Sequence, residues 1–191
     1  MLADDTYNTF SDEQLMLLYQ RSRDRSLFEV IYNRYFQILC KYIAWISGPE
    51  TPAQDMAQNI LVKLYKHPEL FDHQKNLKVW LFVSAKNKIK NEKRDIARRA
   101  MHHEQIKAQT TSVETPSEYK SQINKLQRIR EAINALSESH AEVMILKYSS
   151  NLTVTEIGQA LDISTGTVKS RLFYGLKKIR EQLNVKIESH E

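Results

Sequence analysis

Apolar side chains recur at three- and four-residue steps through most of this chain, the spacing of amphipathic helices. Ser11 or Asp12 can cap a first helix that runs to about Arg21, with Leu15, Leu18 and Tyr19 on one side. A second helix of about five turns carries Phe28, Ile31, Tyr32, Tyr35, Leu39, Tyr42, Ile43 and Ile46, and Gly48-Pro49 ends it. Its aromatics read most simply as core. A third, from about Pro52 to Lys66, has proline in its first turn. It buries Met56, Ile60 and Leu64, with Leu61 a further candidate, and turns Asp55, Gln58 and Asn59 to solvent. Residues 67–76 break the period and read as a loop.

The fourth helix, from Leu77 to about Arg99, is expected to turn Leu77, Trp80, Leu81 and Ser84 inward. Lys86, Asn87, Lys90, Asn91, Lys93 and Arg94 then form a polar, basic surface. Asn87 and Asn91 are four apart and share a face. Asparagine is a poor helix former, so hydrogen bonding to a base edge or a backbone gives the pair a reason. From His102 to about Pro116 aromatics are absent and periodicity is weak, as in a linker. The adjacent His102 and His103 would diverge on a helix, which does not make a metal-ligand pair. A second helical block starts near Ser117. Ile123, Leu126, Ile129, Ile133 and Leu136 form its stripe, and a short helix over Ser137–Tyr148 follows with Val143, Met144, Ile145 and Leu146 available for the core.

Composition agrees with long helices. Glycine and proline number four each in 191 residues, too few for the tight turns of an all-β fold. The expected class is all-α: two small helical domains joined by a flexible linker. One cysteine, Cys40, excludes an internal disulfide and any cysteine-based zinc site; in its apolar run it reads as a small hydrophobe. The acidic, polar start is unlike a signal peptide, and no apolar run reaches the roughly 18 residues of a membrane span. A soluble, cytoplasmic protein is the expectation.

The net charge of +5 is unevenly placed. Residues 1–74 carry 7 basic and 10 acidic side chains, residues 75–100 carry 9 and 2, and residues 164–180 carry 5 and none. A single basic stripe can be a solvated helix face. Two of them, inside recognisable helices, point toward nucleic acid.

Residues 153–172 carry the most information. Thr153 with Glu156 is a capping box. Ile157 and Leu161 take buried positions, and Gly158 is a small residue where a second helix must approach closely. Asp162 falls where a turn needs a left-handed residue. Ile163 plugs the core, Ser164 caps the next helix, and Val168 and Leu172 face inward. This is helix-turn-helix spacing. The second helix presents Thr165, Thr167, Lys169, Ser170 and Arg171 near the end that enters a major groove, where Thr and Ser suit phosphate and Lys and Arg suit guanine. A plain helical corner would share the apolar positions without needing an acid-free, basic second helix.

The string Gly166-Thr167-Val168-Lys169-Ser170-Arg171-Leu172, its preceding E-I-G-Q-A-L-D-I-S, and the lead-in A-I-N-A-L-S-E-S-H-A-E-V-M-I-L-K-Y resemble region four of small, extracytoplasmic-function sigma factors of bacterial RNA polymerase. Upstream, F-E-V-I-Y-N-R-Y-F, D-M-A-Q-N-I-L-V-K-L-Y and V-W-L-F-V-S-A-K-N-K-I-K-N-E-K-R resemble region two, in the family's order. The resemblance covers nearly the whole chain. It implies region two over residues 10–98, a linker over 99–119 and region four over 120–187.

It also implies roles. Asp55, Gln58 and Asn59 match where such factors bind the beta-prime clamp of core polymerase; the family usually has Glu at the place of Asn59. Residues 66–76 and the helix with Trp80, Lys86, Asn87, Lys90, Asn91 and Arg94 match where the minus-ten element is melted and held as a single strand. Asn87 falls near the pocket for a flipped base. Thr165, Thr167, Lys169, Ser170, Arg171, Phe173, Tyr174 and Lys178 fall where the minus-thirty-five element is read. The family commonly has R-A-R where this chain has Tyr174, Gly175 and Leu176, so two basic side chains are lost and Gly175 costs the helix roughly 1 kcal/mol against alanine. The implied partners are core RNA polymerase, promoter DNA and an anti-sigma factor, often membrane-embedded. No cofactor, metal or catalytic residue is implied.

Three other readings compete. A simple helix-turn-helix regulator would read duplex DNA alone, usually as a dimer, and leaves the Asn-bearing helix and the Asp55 face without a role. An enzyme acting on nucleic acid would need a constellation of metal carboxylates or a nucleophile with its base, which the sequence lacks; it also has no G-x-x-x-x-G-K-S/T loop. An RNA-binding two-domain helical protein would not depend on polymerase.

Overall fold

The computed structural model describes residues 7, 9–48, 51–100 and 128–188, with the side chains of 99–100 and 184–188 left aside. All regular structure among them is helical. The N-terminal half holds α1 (Asp12–Ser22), α2 (Arg25–Ser47), α3 (Ala53–Lys66) and α4 (Leu77–Ala100), with a 3-10 turn over Pro68–Leu70. The C-terminal half holds α5 (residues 128–134), α6 (Glu138–Tyr148), α7 (Val154–Leu161) and α8 (Thr165–Glu188). The expected linker over 99–119, apart from its first two residues, and the start of the second block, with Ile123 and Leu126, lie outside the described residues.

Side chains at the helix ends set the boundaries. Ser11 caps α1, and its side chain and that of Gln14 exchange hydrogen bonds with each other's backbone N–H (3.2 and 2.9 Å). Asp24 caps α2 by accepting from the Ser26 N–H (2.9 Å), and Gly48 closes it at φ +89°, where a β-carbon is disfavoured. Pro52 lies just outside α3. The first turn of α4 is tied down twice: Asn76 Oδ1 accepts from the Val79 N–H (2.9 Å) and Glu13 Oε1 of α1 accepts from the Leu77 N–H (3.1 Å).

The periodic positions are mostly buried as expected, including Leu15, Tyr19, Ile31, Leu39, Ile60, Leu61, Leu64, Leu77 and Leu81. Leu18 is a correction: it is exposed, and Met16 takes the buried place beside Leu15. The segment 67–76 is less loop-like than its composition. Phe71 within it is 1% exposed, and Gln20 Nε2 donates to the Pro68 and Phe71 carbonyls (2.8 and 2.7 Å). Near the N-terminus Asp12 accepts from both Arg34 Nη1 (2.7 Å) and the Tyr35 hydroxyl.

The two halves touch. Helix α7 packs on α4, and α6 packs on α2. Their buried side chains form one continuous apolar cluster. Around it, Tyr42 OH donates to Glu142 Oε1 (2.9 Å), Lys78 Nζ donates to the Asn151 carbonyl (2.6 Å), Asn76 Nδ2 donates to Glu156 Oε1 (3.2 Å), and Lys93 pairs with Glu138 (3.3 Å). The Arg130 guanidinium stands 5.4 Å from the Trp45 ring centroid.

Candidate nucleic-acid interface

The C-terminal site is a helix-turn-helix, and each of its turns is accounted for. The Thr153 Oγ1 accepts from the Glu156 N–H (3.2 Å) while Glu156 Oε2 accepts from the Thr153 N–H (2.7 Å), which opens α7. Asp162 ends it in the left-handed region, φ 56° and ψ 51°. The Gly158 backbone faces the returning turn, not a helix flank: a β-carbon there would meet the Ile163 carbonyl oxygen at 2.9 Å. Ile163 is half-buried, and Ser164 Oγ accepts from the Thr167 N–H (3.0 Å) at the start of α8.

Helix α8 divides into two faces. Val168 and Gly175 are buried, and Leu172 and Ile179 half-buried, along the line toward the core. On the opposite line Gly166, Ser170, Phe173 and Lys177 are exposed, flanked by Thr165, Lys169, Tyr174 and Lys178, also exposed. Phe173 is 65% exposed, with its ring edge-on to Tyr174 at 5.4 Å. Two of the expected residues sit differently. Arg171 is half-buried on the flank, and Thr167 is half-buried with its hydroxyl 2.9 Å from Ser164 Oγ, so it belongs first to the cap. Gly175, read from sequence only as a cost to the helix, faces α6, where a β-carbon would lie 3.1 Å from Met144 Cγ.

The N-terminal site lies between α3 and α4. A cavity of about 350 Å³ is lined by Asn59, Lys63, Trp80, Ser84, Asn87 and Asn91, among others. Trp80 and Ser84 are half-buried in this wall, and Trp80 also packs against the core, as expected of an inward-facing residue. The Phe71 ring stands edge-on to Trp80 at 6.1 Å and so fixes one wall from the loop. Sequence reading missed Phe71; its apolar character inside a polar loop was the available signal. Asn59 lines this cavity too, while Asp55 and Gln58 do not. Asp55 instead borders a separate hollow with Cys40 and Lys41. Burial raises the Cys40 thiol pKa.

The basic stripe of α4 is likewise divided. Asn87, Lys90, Asn91 and Arg94 are exposed. Lys86 is half-buried and shares a flank with Lys93, whose ammonium pairs with Glu138 of the other half. Among the described residues no cluster of His, Cys, Asp and Glu could hold a metal ion. No helix among them is long and apolar enough to cross a membrane.

Comparison with known proteins joins the two sites. Residues 31–99 match the model for sigma-70 region 2 and residues 132–181 that for sigma-70 region 4, together more than half of the chain. The ECF RNA polymerase sigma factor SigL of Mycobacterium tuberculosis is 29% identical over 158 residues, covering 82% of this chain and 89% of that protein. The ECF RNA polymerase sigma factor SigW of Bacillus subtilis is 27% identical over 172 residues, covering 84% and 90%. Among solved structures, CnrH in complex with the cytosolic domain of CnrY aligns with a TM-score of 0.66 at 20% identity, over 91% of this chain and 97% of that one. The sigma factor RpoE from Bartonella quintana, in complex with the anti-sigma factor NepR, aligns with a TM-score of 0.67 at 25% identity, over 83% and 97%. With region 2 carrying the α3–α4 cavity and region 4 the helix-turn-helix, the chain belongs to the sigma-70 family of RNA polymerase sigma factors, in its extracytoplasmic-function class.

Proposed function

We propose that this sigma factor, which acts with RNA polymerase in promoter-specific transcription initiation, reads the minus-thirty-five element with α8 and captures the melted nontemplate strand of the minus-ten element on α4. The observation that carries the reading is the pair of separate, differently built surfaces. The exposed side of α8 through Arg180 carries no acidic group and starts at a capped N-terminus, as suits a major groove and its phosphates. The surface on α4 is a cavity with a tryptophan and asparagine amides, as suits an unpaired base. Extruding a base costs a few kcal/mol. Stacking of about 1–3 kcal/mol per base and amide hydrogen bonds offset that cost. A regulator that read duplex DNA alone would have no use for the second surface.

The factor works by binding and positioning, without catalytic chemistry of its own. Asp55 and Gln58, exposed on α3, face the beta-prime clamp of core polymerase in this scheme. Asn59 stands at the border between that contact and the base cavity. The scheme takes region 2 as residues 10–98 and region 4 as residues 120–187, while α4 itself continues to Ala100. Its regulation is by an anti-sigma factor, a reading supported by the similar RpoE, solved with NepR.

The test is in vitro transcription with core polymerase. Lys169→Ala with Arg171→Ala is expected to weaken promoter selection while leaving polymerase binding intact. Equal loss of polymerase binding would remove α8 from the DNA interface.

A further inference from the structure

We infer that Asn59 belongs to the strand-holding cavity and not to the polymerase contact, and that its amide reads one base of the unpaired nontemplate strand. The inference rests on the strand-capture reading above and adds a specificity-determining side chain to it. Gln58 and Asn59 are neighbours in the sequence, but a helix turns by about 100° from one residue to the next. The two side chains therefore leave α3 in different directions. Gln58 is continued along its line by Val62 and Tyr65, at steps of four and three, and all three are exposed. Asn59 is continued by Lys63, and these two line the hollow opposite Trp80, Ser84, Asn87 and Asn91 of α4. Gln58, Val62 and Tyr65 do not line it. A partner laid along that second line meets α3 on the flank away from α4, and Asn59 is on the flank toward it.

The chemistry of the cavity makes an amide at position 59 useful. No acidic side chain lines it, and Lys63 and Lys88 bring two positive charges. The exposed amides of Asn59, Asn87 and Asn91 border it from two helices. Each amide carries a donor and an acceptor side by side, so it can bind a base edge at two points, as asparagine does with adenine. The Trp80 indole in the same wall, fixed from the loop by Phe71, offers a flat face for stacking. An indole for the face and amides on both helices for the edge hold a base from more than one side. A carboxylate at position 59 would only accept hydrogen bonds. It would also stand four residues before Lys63 and pair with that ammonium, setting a negative charge where a phosphate backbone has to pass. With asparagine there, no acidic residue lies one helical turn from Lys63 on either side, and its charge stays available to the strand. Asparagine is a poor choice for an exposed helix position; the cavity gives it a use.

The test uses the full chain bound to core polymerase and a library of fork-junction DNA. The duplex arm comes from a promoter the factor transcribes, and the unpaired nontemplate stretch is randomised. Strands retained by the wild type, Asn59→Ala and Asn59→Asp are sequenced, and the affinity of each chain for core polymerase is measured separately. Alanine is a better helix former than asparagine, so Asn59→Ala keeps α3. It is expected to lose base preference at a single position by about two- to tenfold, the worth of a neutral hydrogen bond. Preference at the other positions and affinity for core polymerase should stay as in the wild type. Asn59→Asp, which keeps the shape and loses the donor, is expected to lose the same preference and to retain fewer strands of every sequence. Full base preference in Asn59→Ala overturns the inference, as does a loss of core affinity of about the same size; either leaves the strand-capture reading standing. No base preference at any unpaired position in the wild type overturns that reading, and the inference with it.

Discussion

Gly158 lies so close beneath the Ile163 carbonyl that a β-carbon on it would stand 2.9 Å from that oxygen. The neighbour is backbone in the turn of the DNA-reading motif and cannot swing away. The Cβ of an alanine at Gly175 would instead meet the Cγ and Sδ of Met144 at 3.1 and 3.2 Å, the flexible part of an adaptable side chain. The two glycines therefore answer the same substitution in opposite directions. Gly158→Ala is expected to destabilise by about 1–3 kcal/mol through overpacking. Gly175→Ala is expected to stabilise by up to about 1 kcal/mol through helix propensity. Urea denaturation of both variants checks the pair, and a loss of stability in Gly175→Ala would show that Met144 cannot yield.

Asp162 holds the turn from the other side, at φ 56°. A β-branched residue is poorly tolerated there, at a cost of roughly 1–2 kcal/mol, whereas glycine adopts it freely. Asp162→Val is expected to lower the thermal midpoint by several degrees and Asp162→Gly to leave it within about a degree or raise it. If both variants lose stability alike, the aspartate carboxylate, not its backbone, is what matters.

Local rules explain why so much of this motif was legible in the sequence. The Thr153–Glu156 box, the left-handed Asp162 and the Ser164 cap each depend on residues within three positions of one another. The helices of region 2 were legible for the same reason. What could not be read was set by contacts far apart in the chain. Phe71 is buried because Gln20, 51 residues earlier, fixes its backbone. Asn59 joins Trp80 and Asn87 because α3 packs on α4, and a helix period shows a face but not its neighbour. Lys93 looked like its exposed neighbours until α6 brought Glu138 to it. Gly175 looked like a defect until Met144 was placed against it.

Two buried phenols make stability fall in alkali. Burial first, then the hydrogen bond and charge of Asp12, push the Tyr35 pKa well above 10; burial and then Glu142 do the same for Tyr42. The folded state therefore keeps both protons where the unfolded chain releases them. Their contribution is complete below pH 10 and declines as pH rises beyond it. The two together steepen the decline, each by at most roughly 1 kcal/mol per pH unit. Tyr35→Phe is expected to make that slope shallower, with Tyr42 and the buried Tyr19 supplying the rest, in denaturation curves taken between pH 9.5 and 11. An unchanged slope would mean that Tyr35 ionises in the folded protein much as it does in the unfolded one.

Asn87 provides the sharpest test of the α3–α4 cavity. It is exposed, lies on the same helical face as Trp80 and Asn91, and has no hydrogen-bond role in holding the fold. Removing its amide should leave stability within about 0.5 kcal/mol. A neutral hydrogen bond to a base is worth about 0.5–1.5 kcal/mol, so Asn87→Ala is expected to lower open-complex occupancy roughly two- to tenfold. Closed-complex formation, which involves only duplex DNA, should change little. Permanganate reactivity of unpaired thymines measures the first and a footprint at low temperature the second. Equal loss in both would place Asn87 on duplex DNA and leave the cavity without a base to hold.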